Sequence, residues 1–131
     1  MLTFTVYGKP EPQGSTRAFV VKGRPVITSA NKGLKAWRQQ VSAAALAAVV
    51  AGTEFITLEP VSVAVDFYFD RPKSVKRAAM TVRPDVDKIL RGTFDSLTGI
   101  VFADDSQVVK CVATKQYGSP ARAEITIEVL S

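Results

Sequence analysis

The stretch VSVAVDFYF (61–69) places Val61, Val63, Val65, Phe67 and Phe69 at every second position. A period of two is the mark of a strand with one buried face. LTFTV (2–6) and AEITIEV (123–129) alternate in the same way, the latter with Ala123, Ile125, Ile127 and Val129 expected inward. AFVVKGRPVI (18–27) reads as a hairpin turning near Lys22-Gly23, after a Pro- and Gly-marked stretch, GKPEPQGSTR (8–17). Elsewhere the period changes. From Asn31 to about Ala51 the chain is alanine-rich, with Leu34, Trp37, Val41, Ala44 and Ala45 at helical spacing. Asn31 is the expected N-cap and Gly52 the expected stop. A second helix follows Pro84, with Val86, Ile89, Leu90, Phe94 and Leu97 three and four apart and Gly99 where a left-handed residue ends a helix. With a strand near Gln107–Thr114, the order is β-β-β-α-β-α-β-β. That pattern predicts one α+β domain over 1–131, two helices packed on a mixed sheet.

Composition fits a globule of this kind, with 47% hydrophobic and 22% charged residues. No apolar run of about 18 residues predicts a membrane span. The opening MLTFTVYGKP has no basic region followed by an apolar core, so a cytoplasmic protein is expected. The lone Cys111 sits in an apolar stretch and is expected as a buried, unreactive thiol. Trp37 and Phe67 are expected in the core.

The absences restrict the chemistry. There is no histidine, which removes histidine-based nucleophilic triads and one-metal nucleases with a histidine base. One cysteine cannot build a structural zinc site. Seventeen Lys and Arg against twelve acids, a net charge of +5, favour a polyanionic partner such as nucleic acid. Against that excess, the segment RPDVDKILRGTFDSLTGIVFADD (83–105) collects Asp85, Asp87, Asp104 and Asp105.

Two accounts fit these acids. In one, Asp85 caps the helix, Asp87 interacts favourably with its dipole and pairs with Arg91, and Asp104–Asp105 form an exposed turn. In the other, a helix start and a strand start bring three carboxylates to one end of the sheet to hold Mg²⁺ or Mn²⁺. Oxygen-only ligation by one to three carboxylates and several waters suits such ions. The basic connector RPKSVKRAAMTVRP (71–84), with Lys73, Lys76, Arg77 and Arg83, would then bind phosphates beside the acids. Arg17, Lys22 and Arg24 on the early hairpin are further basic candidates.

The string PDVDKILRGTFDSLTGIVFADDSQV (84–108) resembles the RusA family of Holliday junction resolvases, often prophage-encoded. That family's pattern runs Pro-Asp-x-Asp-Asn-Leu-x-Lys, then Asp-(Ala or Ser)-Leu-x-Gly, then Asp-Asp-x-Gln-Val, with a lysine on the next strand. GKPEPQGSTR and RPKS resemble its N-terminal segment and its connector. The resemblance implies a dimeric α+β fold and Mg²⁺-dependent paired nicking of four-way DNA junctions, in recombination and repair. It implies Asp85, Asp87 and Asp105 as metal-binding carboxylates, with Asp104 an additional ligand or a supporting acid. Arg91 stands where the family has a catalytic lysine, and Lys88, which could take over that role, where it has asparagine. Val75 replaces a histidine common after RPKS. Asp95 is expected to be structural. Two further readings stay open: a DNA-binding module of the same fold without cleavage, and a nuclease of flaps or other branched DNA. Paired resolution requires two identical sites, which a two-fold homodimer would supply.

Overall fold

A computed structural model of the chain describes residues 1–14, 16–29, 33–52 and 57–130. The elements follow as β1 (Leu2–Tyr7), β2 (Thr16–Val21), β3 (Arg24–Ser29), α1 (Leu34–Ala51), β4 (Val61–Phe69), α2 (Val86–Leu97), a 3₁₀ turn (Asp105–Gln107), β5 (Val108–Tyr117) and β6 (Arg122–Val129). The expected α+β order is the observed one.

Four strands form a mixed sheet in the order β1-β6-β4-β5. β4 and β5 are parallel, while β6 runs antiparallel to both β4 and β1. A parallel pair needs a crossover connection, and α2 lies within that crossover. This places the α2 acids beside the strand that follows them. All five alternating residues of β4 are buried, and Val63, Val65 and Phe67 stand opposite Ile127, Ile125 and Ala123 of β6. Leu34, Trp37, Val41 and Ala45 of α1 close the same core. The Asn31 cap lies outside the described residues; α1 opens after Gly33 and stops at Gly52, as expected. β2 and β3 make a separate two-stranded sheet. Its turn residues, Lys22 and Gly23, both have positive φ (50° and 78°). Two such residues match a two-residue turn whose twist suits a hairpin.

Three expectations are corrected. Val129 is 51% exposed, because β6 runs beyond the part of the sheet that the core covers. Cys111 is exposed, not buried. It belongs to β5, an edge strand with a neighbour on one side only, so the apolar surroundings read from the sequence are not closed over it. Third, the buried stripe of α2 is Ile89, Gly92, Thr93, Ser96 and Leu97, with Leu90 and Phe94 only partly covered. The small residues let α1 approach. A Cβ on Gly92 would stand 3.2 Å from Leu34 Cδ1, and Ser42 of α1 donates to the Ser96 carbonyl at 2.9 Å. Thr93 and Ser96 satisfy their own hydroxyls on the carbonyls of Ile89 and Gly92, at 3.0 and 2.8 Å.

Candidate active site

Asp85 occupies the N-cap position of α2 in an extended backbone conformation, but its side chain makes no capping bond. Its carbonyl accepts from the Lys88 and Ile89 N–H groups, at 3.1 and 3.2 Å. The side-chain cap expected at Asp85 is therefore absent, and the carboxylate is exposed. Asp87 is exposed on the first turn. Lys88 Nζ, at 2.9 Å, is its partner in place of the expected Arg91. The hydrogen bond from Lys88 is the main reason the Asp87 carboxyl titrates below the usual carboxylate range.

The second acid pair is built by Gln107. Its Oε1 accepts from the N–H groups of Ala103 (2.8 Å) and Asp104 (2.9 Å). Its Nε2 donates to the carbonyls of Thr57 (2.8 Å) and Glu59 (2.9 Å). One side chain thus ties the acid turn to the segment leading into β4. Asp104 caps the 3₁₀ turn, accepting from the Ser106 N–H at 2.9 Å, and that bond holds its carboxyl below the ordinary range. Asp105 behaves oppositely. Partial burial raises its pKa first, and the neighbouring Asp104 and the charge of Asp95 raise it further. We expect Gln107→Ala to cost about 1–3 kcal/mol, since each bond lost contributes about 0.5–1.5 kcal/mol and some of the freed groups reach water. Urea unfolding checks this, and nicking should fall with it because the Asp105 backbone is no longer fixed.

A cavity of about 420 Å³ is lined by Asp87, Leu90, Arg91, Phe94, Asp95 and Asp105. It brings together three of the expected residues, Asp87, Arg91 and Asp105. Asp85, Asp104 and Lys88 do not line it. Among the described residues, no three acids stand close enough to share one metal ion. Asp95, expected to be only structural, lines the cavity and accepts a hydrogen bond from Gln13 Nε2. The spacing Asp87–Arg91–Asp95, every fourth residue along one helix face, was the available signal. Lys115 on β5 was also missed as a named residue. Its Nζ donates to the carbonyls of Val82 (2.7 Å) and Pro84 (2.9 Å), anchoring the connector immediately before Asp85.

The donor set is all oxygen, with Asp87, Asp95 and Asp105 lining one cavity. The cavity therefore fits a hard divalent ion held by one or two carboxylates and water. The basic connector is exposed at Lys73, Lys76, Arg77 and Arg83, with Met80 buried beneath it. Arg77 donates to Thr81 Oγ1 at 3.0 Å. The backbone places Arg17 on β2; its side chain lies outside the described features.

The endodeoxyribonuclease RusA family matches residues 8–128. The chain belongs to the RusA family. It is also similar to an uncharacterized protein, YqaN, of Bacillus subtilis (strain 168), with 34% identity over 142 residues that cover 99% of this chain and 97% of the relative. The RusA match spans α2, the acid turn and β5, so every cavity residue lies within it. No helix among the described residues is long and apolar enough to cross a membrane.

Proposed function

We propose that this RusA-family protein is a Mg²⁺-dependent endodeoxyribonuclease that resolves four-way DNA junctions by paired nicking, in the cytoplasm, as a homodimer. The observation that carries the proposal is the single cavity where Asp87 and Asp105 meet Arg91 in a chain of this family.

Asp87 and Asp105 would hold the ion, with Asp85 and Asp104 at its margin. Mn²⁺ fits the same oxygen donors. A bound ion of this type polarises a phosphodiester oxygen and acidifies its water. The remaining work belongs to the chain's own groups. Arg91 supplies a fixed positive charge for the phosphate or the departing 3′ oxygen; it does not donate a proton as readily as lysine. Lys88, hydrogen-bonded to Asp87, orients that carboxylate and could take over the proton-donor role of the lysine that Arg91 replaces. Lys115 keeps the connector's end in place, and the connector's cations bind the backbone.

Changing Lys73, Lys76 and Arg77 together to Ala is expected to weaken junction binding. The slope of log K against log salt should fall by about 0.9 for each phosphate contact removed. An unchanged slope would make the connector a solvated loop. For the dimer, sedimentation equilibrium with and without junction DNA is the check; a chain monomeric in both would remove paired resolution. Substrate class is tested by offering four-way junction, flap and linear duplex in one competition. Preferential, symmetrical cutting of the junction is expected. Cutting of the flap alone would place the enzyme on other branched DNA. The separation of Asp85 from the cavity favours, as a second reading, a junction-binding module of this fold that does not cleave.

A further inference from the structure

A second recess, about 580 Å³, lies between α1 and α2 and is lined by Lys35, Arg38, Gln39 and Ser42 of α1 and by Asp95 and Thr98 among others. Asp95 lines both this recess and the acid cavity, so the two adjoin. Lys35, Arg38, Gln39 and Ser42 fall at spacings of three, four and seven, one face of the helix. α1 contains no Asp or Glu; of its two cations Lys35 is exposed and Arg38 half-buried, and neither forms an ion pair among the described residues. Leu34 and Ile100 give the recess an apolar floor. Cations and amide and hydroxyl donors above an apolar floor match a nucleic-acid strand, with its phosphates outward and its sugars packed beneath.

The position along α2 gives the groove its role. The basic connector joins α2 at its first residue, the acid cavity runs from Asp87 to Asp95, and the groove opens at Asp95, Ser96 and Thr98. At 1.5 Å per residue these stations lie along about 18 Å of one helix. A strand entering at the connector and crossing the acids would leave over α1. The end of a helix carries partial negative charge, which repels phosphate, so cations from another element are needed there. Lys35 and Arg38 supply them.

We infer that the α1 groove, through Lys35 and Arg38, binds the phosphates of the DNA strand on the side of the acid cavity away from the connector. This rests on the nuclease reading given above. The test is junction binding in EDTA, across a salt series, by wild type, Lys35→Ala/Arg38→Ala, and Lys110→Ala as a control for net charge. Lys110 lies on edge strand β5, paired with Ser62 on the alternate, outward register of β4. The double variant should bind at least about tenfold more weakly at 0.1 M salt, with a slope reduced by about 1.8, two contacts at about 0.9 each. Circular dichroism should be unchanged, since neither side chain belongs to the core, and the Lys110 variant should bind as wild type does. Equal affinity and slope for wild type and the double variant would overturn the groove while leaving the nuclease reading intact. Equal losses in the double variant and the Lys110 control would reduce the effect to net charge and also overturn it. A wild type that binds no junction would overturn both readings.

Discussion

Asp87→Asn and Asp105→Asn are each expected to reduce junction nicking by on the order of a hundredfold or more, the scale of losing one preorganised electrostatic group. Junction binding should persist or tighten. Each change removes a negative charge from the cavity wall without touching the basic connector, and so lessens repulsion of phosphate. Both side chains are exposed and neither holds the core together, so stability should change little. Asp105→Asn should leave stability unchanged at low pH and raise it slightly once the pH passes the ordinary carboxylate range. Its folded pKa is raised, so protonation is favoured in the folded state and the charged form is the strained one. If these acids served only as turn and helix-end chemistry, the variants would lose at most about 1–2 kcal/mol and nick normally. A single-turnover assay paired with filter binding separates the two outcomes.

Phe102→Ala is expected to cost about 3–5 kcal/mol, the range for truncating a buried aromatic. Phe102 is completely buried, edge-on to Phe94 with ring centroids 6.5 Å apart. Its carbonyl accepts from the Gly99 N–H at 2.7 Å, and it bridges to both Thr57 and Thr98. It therefore clamps the turn after α2, where Gly99 has φ +86°, to the chain entering β4. Phe94 is also a wall of the acid cavity, so activity should fall further than the fraction unfolded explains. Urea unfolding followed by circular dichroism measures the loss. A change below about 1 kcal/mol would mean that the site collapses around the deletion and that Phe102 is not the clamp.

The fold was legible wherever one face of an element is buried along its whole length. β4 shows all five apolar positions inward, and α1 repeats Leu34, Trp37, Val41 and Ala45. The reading failed where cover ends. Val129 continues the alternation of β6 past the part of the sheet that the core covers, and Cys111 sits in an apolar stretch on a strand whose edge position no local pattern reports. α2 shows a different limit. Its buried face holds Gly92, Thr93 and Ser96 because α1 packs closely there, and small polar residues give no hydrophobic signal.

For the site, three residues named from the acidic motif, Asp87, Arg91 and Asp105, line one cavity, and Asp85 and Asp104 do not. Residues two apart on a helix do not face each other, whereas those four apart do. Asp87 is accordingly joined by Arg91 and Asp95, and Asp85 stands apart at the helix end. Asp104 and Asp105 are adjacent in sequence but differ in use. The first is occupied with the Ser106 N–H, and the second faces the cavity. The role of Gln107 depends on residues about 50 positions away, which no local pattern reports.

The central claim, that Asp87 and Asp105 serve a metal-dependent nuclease, is tested most directly by wild-type protein on a four-way junction labelled on each strand in turn. With Mg²⁺, two opposed strands should be nicked at symmetrical positions, and EDTA should abolish the cuts. A protein that binds the junction tightly yet leaves every strand intact with Mg²⁺ or Mn²⁺, or that cuts equally well in EDTA, would contradict the account.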